Sequence, residues 1–450
     1  MNRKYALMLA PLMVATLAGA DFKAGFGRRE ITPPIPIWMA GFAARTQPGD
    51  SIVHDLWTKA LALEDGKGER LLVITIDLVK MPRPMIDAVA DRIHRRHGIE
   101  RSRLLVNFSH THSGPSFTWN RGSDREMIRR IEKYRETVVD AMTAAADEAI
   151  AGLRPARLSY GAGQVEFSHN RRERVPGGGW KFGVNPSGPV DRTVPVVRVT
   201  GTDGKLRGVL FGLSCHPSAL TPQFHQICGD YSGFAQAAYE KANPGATAMF
   251  LQLCGGDQTT HPRGKMELAE KYGQDLSAEV TRVLAGPLKQ VKAPIRAAML
   301  TTELPFAPYS LEMFQQQAKE NDPILRRHAE RMLALYDSGQ PPVSRLPYTM
   351  QAIRFGKDLT ILAMNGEVVV DYALRVKREF GAEGMIVAGY SNDIPCYIPS
   401  LRVLKEGGYE ARDAIMMGGL PSTLGEGVEE TIFTSIRELM KAVGRPAATR

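Results

Sequence analysis

Short apolar runs rich in β-forming residues alternate with segments that carry apolar residues at helical spacing. The runs predict strands at Leu71–Leu78, Leu104–Phe108, Val194–Thr200, Gly208–Cys215, Ala246–Leu253, Met350–Phe355, Leu359–Met364 and Met385–Gly389. The helical patterns predict helices at Pro84–Arg96, Asp124–Leu153, Phe234–Lys241, Lys265–Leu284, Leu311–Tyr336, Val368–Phe380 and Glu426–Val443. The alternation predicts the α/β class, with a mixed β-sheet core layered with helices in a single large domain. The Gly- and Pro-rich stretch Val175–Pro189 is expected to be a long loop inside that domain.

The first twenty residues predict a cleaved secretory signal. They combine Arg3 and Lys4 with an apolar run and end in Ala18-Gly19-Ala20. The run is shorter than the ~20 residues that span a bilayer, which argues against a membrane anchor. We therefore expect cleavage before Asp21, an exported protein in the periplasm or outside the cell, and no transmembrane segment in the mature chain.

Composition narrows the class of protein further. The 450 residues are 43% hydrophobic, with 43 Gly and 29 Pro, which excludes a disordered or collagen-like chain. The net charge of +9 would allow contact with anionic membrane headgroups, although the charges are scattered, as on an ordinary solvated surface. No nucleic-acid-binding motif accompanies them. The four cysteines, at 215, 228, 254 and 396, lack zinc-knuckle spacing, so they are expected to be buried thiols or to form one or two bridges.

Candidate chemistry gathers where predicted strands end. His110 and His112 lie in the segment Ser109–Pro115 directly after the run LLVNF, and they would share a face if the segment were extended. His216 follows another strand, and Glu367 follows a third at the start of a helical pattern. Histidine and carboxylate side chains are common zinc ligands. Each residue alone is better explained by a turn hydrogen bond or a helix-start charge.

Several segments, in order, resemble the neutral/alkaline non-lysosomal ceramidase family. SHTHSGP is similar to the hallmark THTHSGP of that family. Further likenesses lie at Gly25–Phe42, Asn170-Arg171, Val190-Asp191, His216 and Gly229–Ala235. The resemblance implies a zinc-dependent amidase that holds one Zn²⁺ ion through His110, His216, Glu367 and Tyr397. His112 is expected to be the general base, because it lies on the same segment as His110 and the ordinary pKa of histidine is near the working pH. Arg171, Tyr409 and Thr259 are expected to position substrate polar groups or to stabilise the oxyanion. His261, near Thr259, is a further candidate for substrate contact, although a histidine in a loop is more often simply exposed.

The chain also departs from the family pattern. Thr259 stands where the family has a serine, and Arg172-Glu173 replaces a Ser-Pro pair. No C-terminal immunoglobulin-like domain is evident, so residues 21–450 are expected to form one catalytic domain. The leading expectation is an exported hydrolase of an N-acyl, ceramide-like amide in a lipid or small-molecule substrate. Two alternatives stay open: the same zinc centre acting on a non-lipid ester, amide or glycoside, and a non-catalytic lipid- or glycan-binding protein.

Overall fold

The computed structural model describes residues 20–118 and 124–447. Strands β1 to β20 are Phe22–Glu30, Ser51–Ile52, Trp57–Asp65, Arg70–Ile76, Leu104–Phe108, Arg154–Gln164, Ser168–Arg174, Trp180–Asn185, Thr193–Gly201, Leu206–Leu213, Gln226–Ile227, Thr247–Gln252, Gln258–Thr260, Lys289–Val291, Ile295–Pro305, Arg345–Phe355, Leu359–Met364, Glu367–Val368, Met385–Ala388 and Tyr397–Ile398. Helices α1 to α10 are Arg83–His97, Arg125–Ala151, Asp230–Ala242, Met266–Ala285, Leu311–Gln317, Pro323–Asp337, Val370–Phe380, Leu401–Glu406, Ala414–Met417 and Val428–Ala442. A 3₁₀ turn at Arg101–Arg103 and a π-helical turn at Tyr409–Asp413 complete the described helical structure.

Two mixed sheets form the centre of the fold. The larger sheet follows the order β12-β10-β9-β6-β1-β3-β4-β5, with β14 also paired to β6. Its β4–β5 and β10–β12 pairs are parallel, and its other pairs are antiparallel. The smaller sheet follows the order β15-β16-β17-β19, in which only β17–β19 is a parallel pair. The predicted α/β class with a mixed β-sheet core is confirmed, and the core contains two sheets.

The two sheets pack face to face between outer layers of helices. On β4, Leu71 and Val73 face the core shared with the smaller sheet, where they join Ile361 of β17. The alternate residues Leu72 and Ile74 face α1 and α2 instead. Helices α3 and α4 cover another part of the same outer face, while α7 and α10 cover the smaller sheet. Such alternation follows from the period of two along a strand.

Most predicted elements lie within a few residues of their expected bounds, and two predictions are wrong. The expected helix Leu311–Tyr336 is two helices, because Asp322 caps a new helix and Pro323 occupies its first turn. The expected loop Val175–Pro189 contains β8, which pairs with β7 as a hairpin. Gly177, Gly178 and Gly179 have positive φ and make its turn, so the glycines that suggested a loop close a hairpin.

The remaining sequence-based expectations concern covalent links and the membrane. All four cysteines are buried and unbridged. In the ranges 20–118 and 124–447, no helix combines the length and the apolar character that crossing a membrane requires. The predicted signal segment falls on residues 1–19, which lie outside the described residues.

Candidate metal centre

Strand ends from both sheets meet at one buried site. His110 follows β5 and His216 follows β10, both in the larger sheet, while Glu367 follows β17 of the smaller sheet. The side chain of Asn107 ties the sheets together at this point. Its Nδ2 donates to the carbonyl of Gln252 at 3.1 Å and to that of Gly389 at 2.9 Å.

His110 sits at a sharp break in the chain. Its φ of +64° is left-handed, which is uncommon for a residue with a side chain. The segment Ser109–Pro115 is therefore not extended at His110, so the condition under which the two histidines would share a face does not hold. The imidazole Nδ1 lies 2.8 Å from the Val79 carbonyl, which can only accept, so Nδ1 donates to it and Nε2 faces Glu367.

His216 is oriented by the same kind of contact. Its Nδ1 lies 2.7 Å from the Gly255 carbonyl, which again leaves Nε2 as the free acceptor. Burial, aided by the positive charge of Arg171, lowers the pKa of His216 to about 4, so the ring is neutral. A parallel bridge between His216 and Thr259 fixes the neighbouring strand end.

Glu367 and Tyr397 complete a compact set of donor atoms. Glu367 Oε2 lies 3.1 Å from Nε2 of His110 and 3.0 Å from Nε2 of His216. The Tyr397 hydroxyl lies 3.3 Å from Nε2 of His216. Glu367 and Tyr397 are direct partners in the short parallel pair β18–β20, which explains how residues thirty positions apart share one site.

This donor set fits a divalent cation. The Nε2 atoms of two imidazoles and a carboxylate oxygen converge at one point, where a divalent cation would take the place of any shared proton. Two ligands of a tetrahedral zinc ion, each ~2.0–2.1 Å from the metal, would lie ~3.3 Å apart. The observed separations of 3.0, 3.1 and 3.3 Å lie close to that value.

His112 lies against the same histidines. Its ring centroid is 5.1 Å from that of His110 and 5.5 Å from that of His216, and the three rings form a buried group that could itself hold a metal ion. Neither ring nitrogen of His112 has a hydrogen-bond partner among the described residues. Burial, together with the charges of neighbouring groups, holds the pKa of His112 well below its ordinary value. A neutral, unpartnered imidazole at this position can accept a proton.

The segment Gly41–Arg45 packs against His112 and holds it in position. The Phe42 ring meets the imidazole edge to face at 4.7 Å. Arg45 donates from Nη2 to the His112 carbonyl at 2.8 Å. A side chain at Gly41, where φ is +95°, would place its Cβ 2.5 Å from His112 Cγ. The glycine therefore lets the chain pass directly beneath the ring.

Arg171 and Tyr409 lie on the other side of Tyr397. Arg171 donates from Nη2 to the Tyr397 hydroxyl at 2.9 Å and from Nε to Glu410 at 2.8 Å. Burial alone would lower the pKa of Arg171, but Tyr397 and Glu410 hold it well above its ordinary value. The Tyr409 ring lies 5.6 Å from that of Tyr397 and is 37% exposed, so it forms part of the rim.

Thr259 and His261 lie on the same segment but differ in environment. Thr259 is buried, and its hydroxyl has no hydrogen-bond partner in the described part of the chain. His261 is exposed, with its ring 5.8 Å from that of His169. Thr259 is therefore beside the metal centre, whereas His261 lies at the outer edge of a neighbouring cavity.

Sequence reasoning missed two residues of the site. Tyr390 follows β19, has a φ of +51° and places its ring 4.5 Å from that of His110. The strand-end rule that selected His216 would also have selected it. Glu410 is the buried partner of Arg171 and Arg172. In the sequence, only its neighbour Tyr409 pointed to Glu410. An acidic residue beside an exposed turn normally lies in solvent, so nothing predicted its burial.

Comparison with known proteins agrees with this architecture. The family model of the neutral/alkaline non-lysosomal ceramidase N-terminal region matches residues 22–274. Neutral ceramidase of Pseudomonas aeruginosa is 24% identical over 265 residues, which cover 56% of this chain and 39% of that protein. Neutral ceramidase of Drosophila melanogaster is 31% identical over 119 residues, which cover 25% of this chain and 17% of that protein. The aligned regions thus span well under half of either relative.

The likeness in fold extends further than the likeness in sequence. The crystal structure of neutral ceramidase from Pseudomonas aeruginosa superposes with a TM-score of 0.73 at 18% identity, covering 96% of this chain and 76% of that chain. A structure described as ceramidase complexed with C2 gives a TM-score of 0.71. The family model matches more than half of the residues here, so the chain belongs to the neutral/alkaline non-lysosomal ceramidase family.

Proposed function

We propose that this protein is an exported zinc-dependent amidohydrolase that cleaves an N-acyl, ceramide-like amide. The observation that carries the proposal is the convergence of His110, His216, Glu367 and Tyr397, in which Glu367 lies 3.1 and 3.0 Å from the two imidazoles and the Tyr397 hydroxyl lies 3.3 Å from His216. These four residues would hold one Zn²⁺ ion. Residues 21–450 would form a single catalytic domain around it.

The bound zinc would supply Lewis acidity and lower the pKa of a water molecule toward neutrality. His112 would accept the proton of that water and return it to the departing amine. Its position supports this role, because both ring nitrogens lack a partner and the ring lies beside those of His110 and His216. Water adds across the amide, the C–N bond breaks, and a fatty acid and an amine leave.

Three further groups would orient the substrate. The unpartnered Thr259 hydroxyl could donate to the carbonyl oxygen as negative charge develops there. Arg171 is charged and fixed by Glu410, so its orientation needs no rearrangement on binding. The exposed ring of Tyr409 would contact substrate at the rim. His261 lies farther out and would contact only an extended substrate.

A variant pair tests the metal assignment. His110→Ala should lose both zinc, measured by mass spectrometry, and turnover of a short-chain ceramide, since one donor of four is removed. His94→Ala is the matched control, because His94 lies on α1 and its side chain is 54% exposed. Unchanged zinc content in His110→Ala would refute the donor set. Zinc binding without turnover of any amide, ester or glycoside would instead favour a lipid- or glycan-binding protein.

Export is tested separately from catalysis. We propose that the segment before Asp21 directs the chain across a membrane and is then removed. N-terminal sequencing of the protein recovered from the periplasm or medium should begin at Asp21. Recovery of the full-length chain in the cytoplasm would overturn this proposal.

A further inference from the structure

A second cavity opens beside the metal centre. Its volume is about 480 Å³, and it lies between the β7–β8 hairpin and the segment that carries Thr259. Phe182 and Val184 of the hairpin form one wall, and Thr259, Thr260, His261 and Arg263 form the other. Thr259 lines this cavity and its backbone also bridges to that of His216, so the cavity lies next to the proposed reaction site.

Arg263 brings a positive charge into this cavity without a matching acid. Its Nη1 is buried and has no hydrogen-bond partner among the residues that the structure describes. Its guanidinium lies 5.3 Å from the centre of the Phe182 ring, which holds the side chain in place without neutralising it. Burial, with the like charge of Arg171, lowers the pKa of Arg263, and the negative charge of Asp230 offsets this only in part.

The nearby acids are already engaged. Glu173 lines the cavity but pairs with Lys181 at 3.2 Å. Asp230, whose charge also acts on Arg263, is buried and accepts from the backbone N–H groups of Ala219, Leu220 and Tyr231 at 3.2, 3.1 and 2.7 Å. Arg263 is partly buried, and an anion would stabilise a positive charge that is partly removed from water, so the cavity is electrostatically complementary to an anion.

The hydroxyl groups of the cavity also favour the binding of an anion. Thr259 and Thr260 are both buried, and neither hydroxyl has a partner in the ranges 20–118 and 124–447. Thr259 keeps its single donor for the scissile carbonyl, and the Thr260 hydroxyl beside the Arg263 guanidinium could bind a carboxylate together with it through charge-assisted hydrogen bonds. The neutral hydroxyls of a ceramide headgroup would leave the charge of Arg263 uncompensated.

We propose that Arg263 is a specificity-determining residue that binds a carboxylate on the amine side of the scissile amide, so that N-acyl amino acids are preferred over neutral N-acyl amino alcohols. The inference rests on the proposed amidohydrolase function and names its substrate class. The carboxylate is assigned to the amine portion because the wall formed by Thr259, Thr260, His261 and Arg263 is polar and would be desolvated without compensation by an alkyl chain. Hydrolysis would release a fatty acid and a free amino acid.

Two matched substrates test the proposal. N-lauroylserine and N-lauroylserinol share the acyl chain, the amide and one hydroxymethyl group, and differ only in a carboxylate against a second hydroxymethyl group. We expect the wild-type kcat/KM for N-lauroylserine to exceed that for N-lauroylserinol by at least about tenfold. Release of serine or serinol is measured as free amine.

Variants at and near the cavity separate the charge from other effects. Arg263→Met should reduce the preference for N-lauroylserine by about tenfold to a hundredfold, mainly through KM, because the contact holds ground state and transition state alike. Arg263→Lys should retain much of the preference. Lys265→Met is the control, since it removes an exposed positive charge two residues away and should leave the preference unchanged.

The outcomes distinguish this inference from the proposed function. Turnover of both amides with a preference unaltered in Arg263→Met would overturn the inference and leave the amidohydrolase function standing. If neither amide is cleaved, the proposed function fails, and the same compounds become stable ligands for calorimetry. Tighter binding of N-lauroylserine that depends on Arg263 would then support the anion site, and equal binding would overturn it. A stronger Arg263-dependent preference for N-lauroylethanolamine phosphate would overturn the carboxylate assignment in favour of a phosphate.

Discussion

Substitution of Glu410 tests whether this buried carboxylate fixes the position of Arg171, which is proposed to orient the substrate. Its carboxylate is 3% exposed and accepts from Arg171 Nε at 2.8 Å through one oxygen and from Arg172 Nη1 at 2.5 Å through the other. The change Glu410→Gln keeps the shape of the side chain but removes its charge. Arg171 would then keep its bond to the Tyr397 hydroxyl, and Arg172 would keep Glu406 at 3.1 Å.

The expected loss of stability is large for a single isosteric change. Removing one partner from a buried ion pair costs about 3–5 kcal/mol, because the remaining charge stays out of water. The entropy of unfolding for 450 residues is ~0.95 kcal/mol/K near the midpoint, so the melting temperature should fall by about 3–5 °C. Burial would raise the pKa of Glu410, but Arg171 and Arg172 lower it below its ordinary value.

That pKa direction fixes how the effect depends on pH. A carboxyl group whose folded pKa is depressed contributes stability above its ordinary pKa of about 4.3 and loses it as the pH falls through the folded value. The difference in melting temperature between wild type and Glu410→Gln should therefore be full at pH 7 and shrink below pH ~4. Measurements with chelator present remove any contribution from metal release by the histidines.

A surface control calibrates the result. Glu126 pairs with Arg129 at 3.0 Å, but its side chain is 61% exposed, so Glu126→Gln should shift the melting temperature by well under 1 °C. Scanning calorimetry of the three proteins gives the comparison. If Glu410→Gln melts within 1 °C of wild type at pH 7, the buried pair does not hold Arg171 as argued.

Variants at three further positions address catalysis. His112→Gln should lower kcat by about 10²–10⁴-fold with zinc content unchanged, and loss of zinc would make His112 a ligand instead. Thr259→Ala should lower kcat by about 10²–10³-fold, whereas Thr259→Ser should retain activity; equal rates for all three side chains would remove the hydroxyl from the mechanism. Gly41→Ala would push its Cβ against the His112 ring, and a displacement of about 1 Å should cost about 10²-fold in kcat at constant zinc content. Wild-type turnover in Gly41→Ala would show that the ring position is not critical.

Sequence analysis was most accurate for features that depend on a local pattern of apolar residues. The strands Leu104–Phe108 and Leu359–Met364 have the predicted bounds, because both are continuous apolar runs buried on two faces. His110, His216 and Glu367 were found by the rule that polar side chains collect where such strands end. The helix break at Pro323 was available in the sequence but was hidden by a helical pattern on both sides.

Non-local pairing explains what local pattern could not reveal. Nothing near Tyr397 distinguishes it from a buried tyrosine, and only the resemblance to a family singled it out. Its place beside Glu367 depends on the two-residue pair β18–β20. Likewise, the sequence could not show that Arg263 lines a cavity. That cavity exists because the β7–β8 hairpin, which was expected to be a loop, places Phe182 against the guanidinium.

The proposed metal ligands are divided between the two halves of the chain, so the site depends on how the two sheets are held relative to each other. The family match at residues 22–274 contains His110, His112 and His216, but not Glu367 or Tyr397. Those two residues come from the part of the chain that forms the smaller sheet and the segments after it. Because the carboxylate lies within 3.1 Å of both imidazoles, even a small shift between the sheets would separate the donors. The buried Asn107 contacts that join the sheets therefore help to hold the proposed metal ligands together, and the N-terminal half alone would lack two of the four proposed donors.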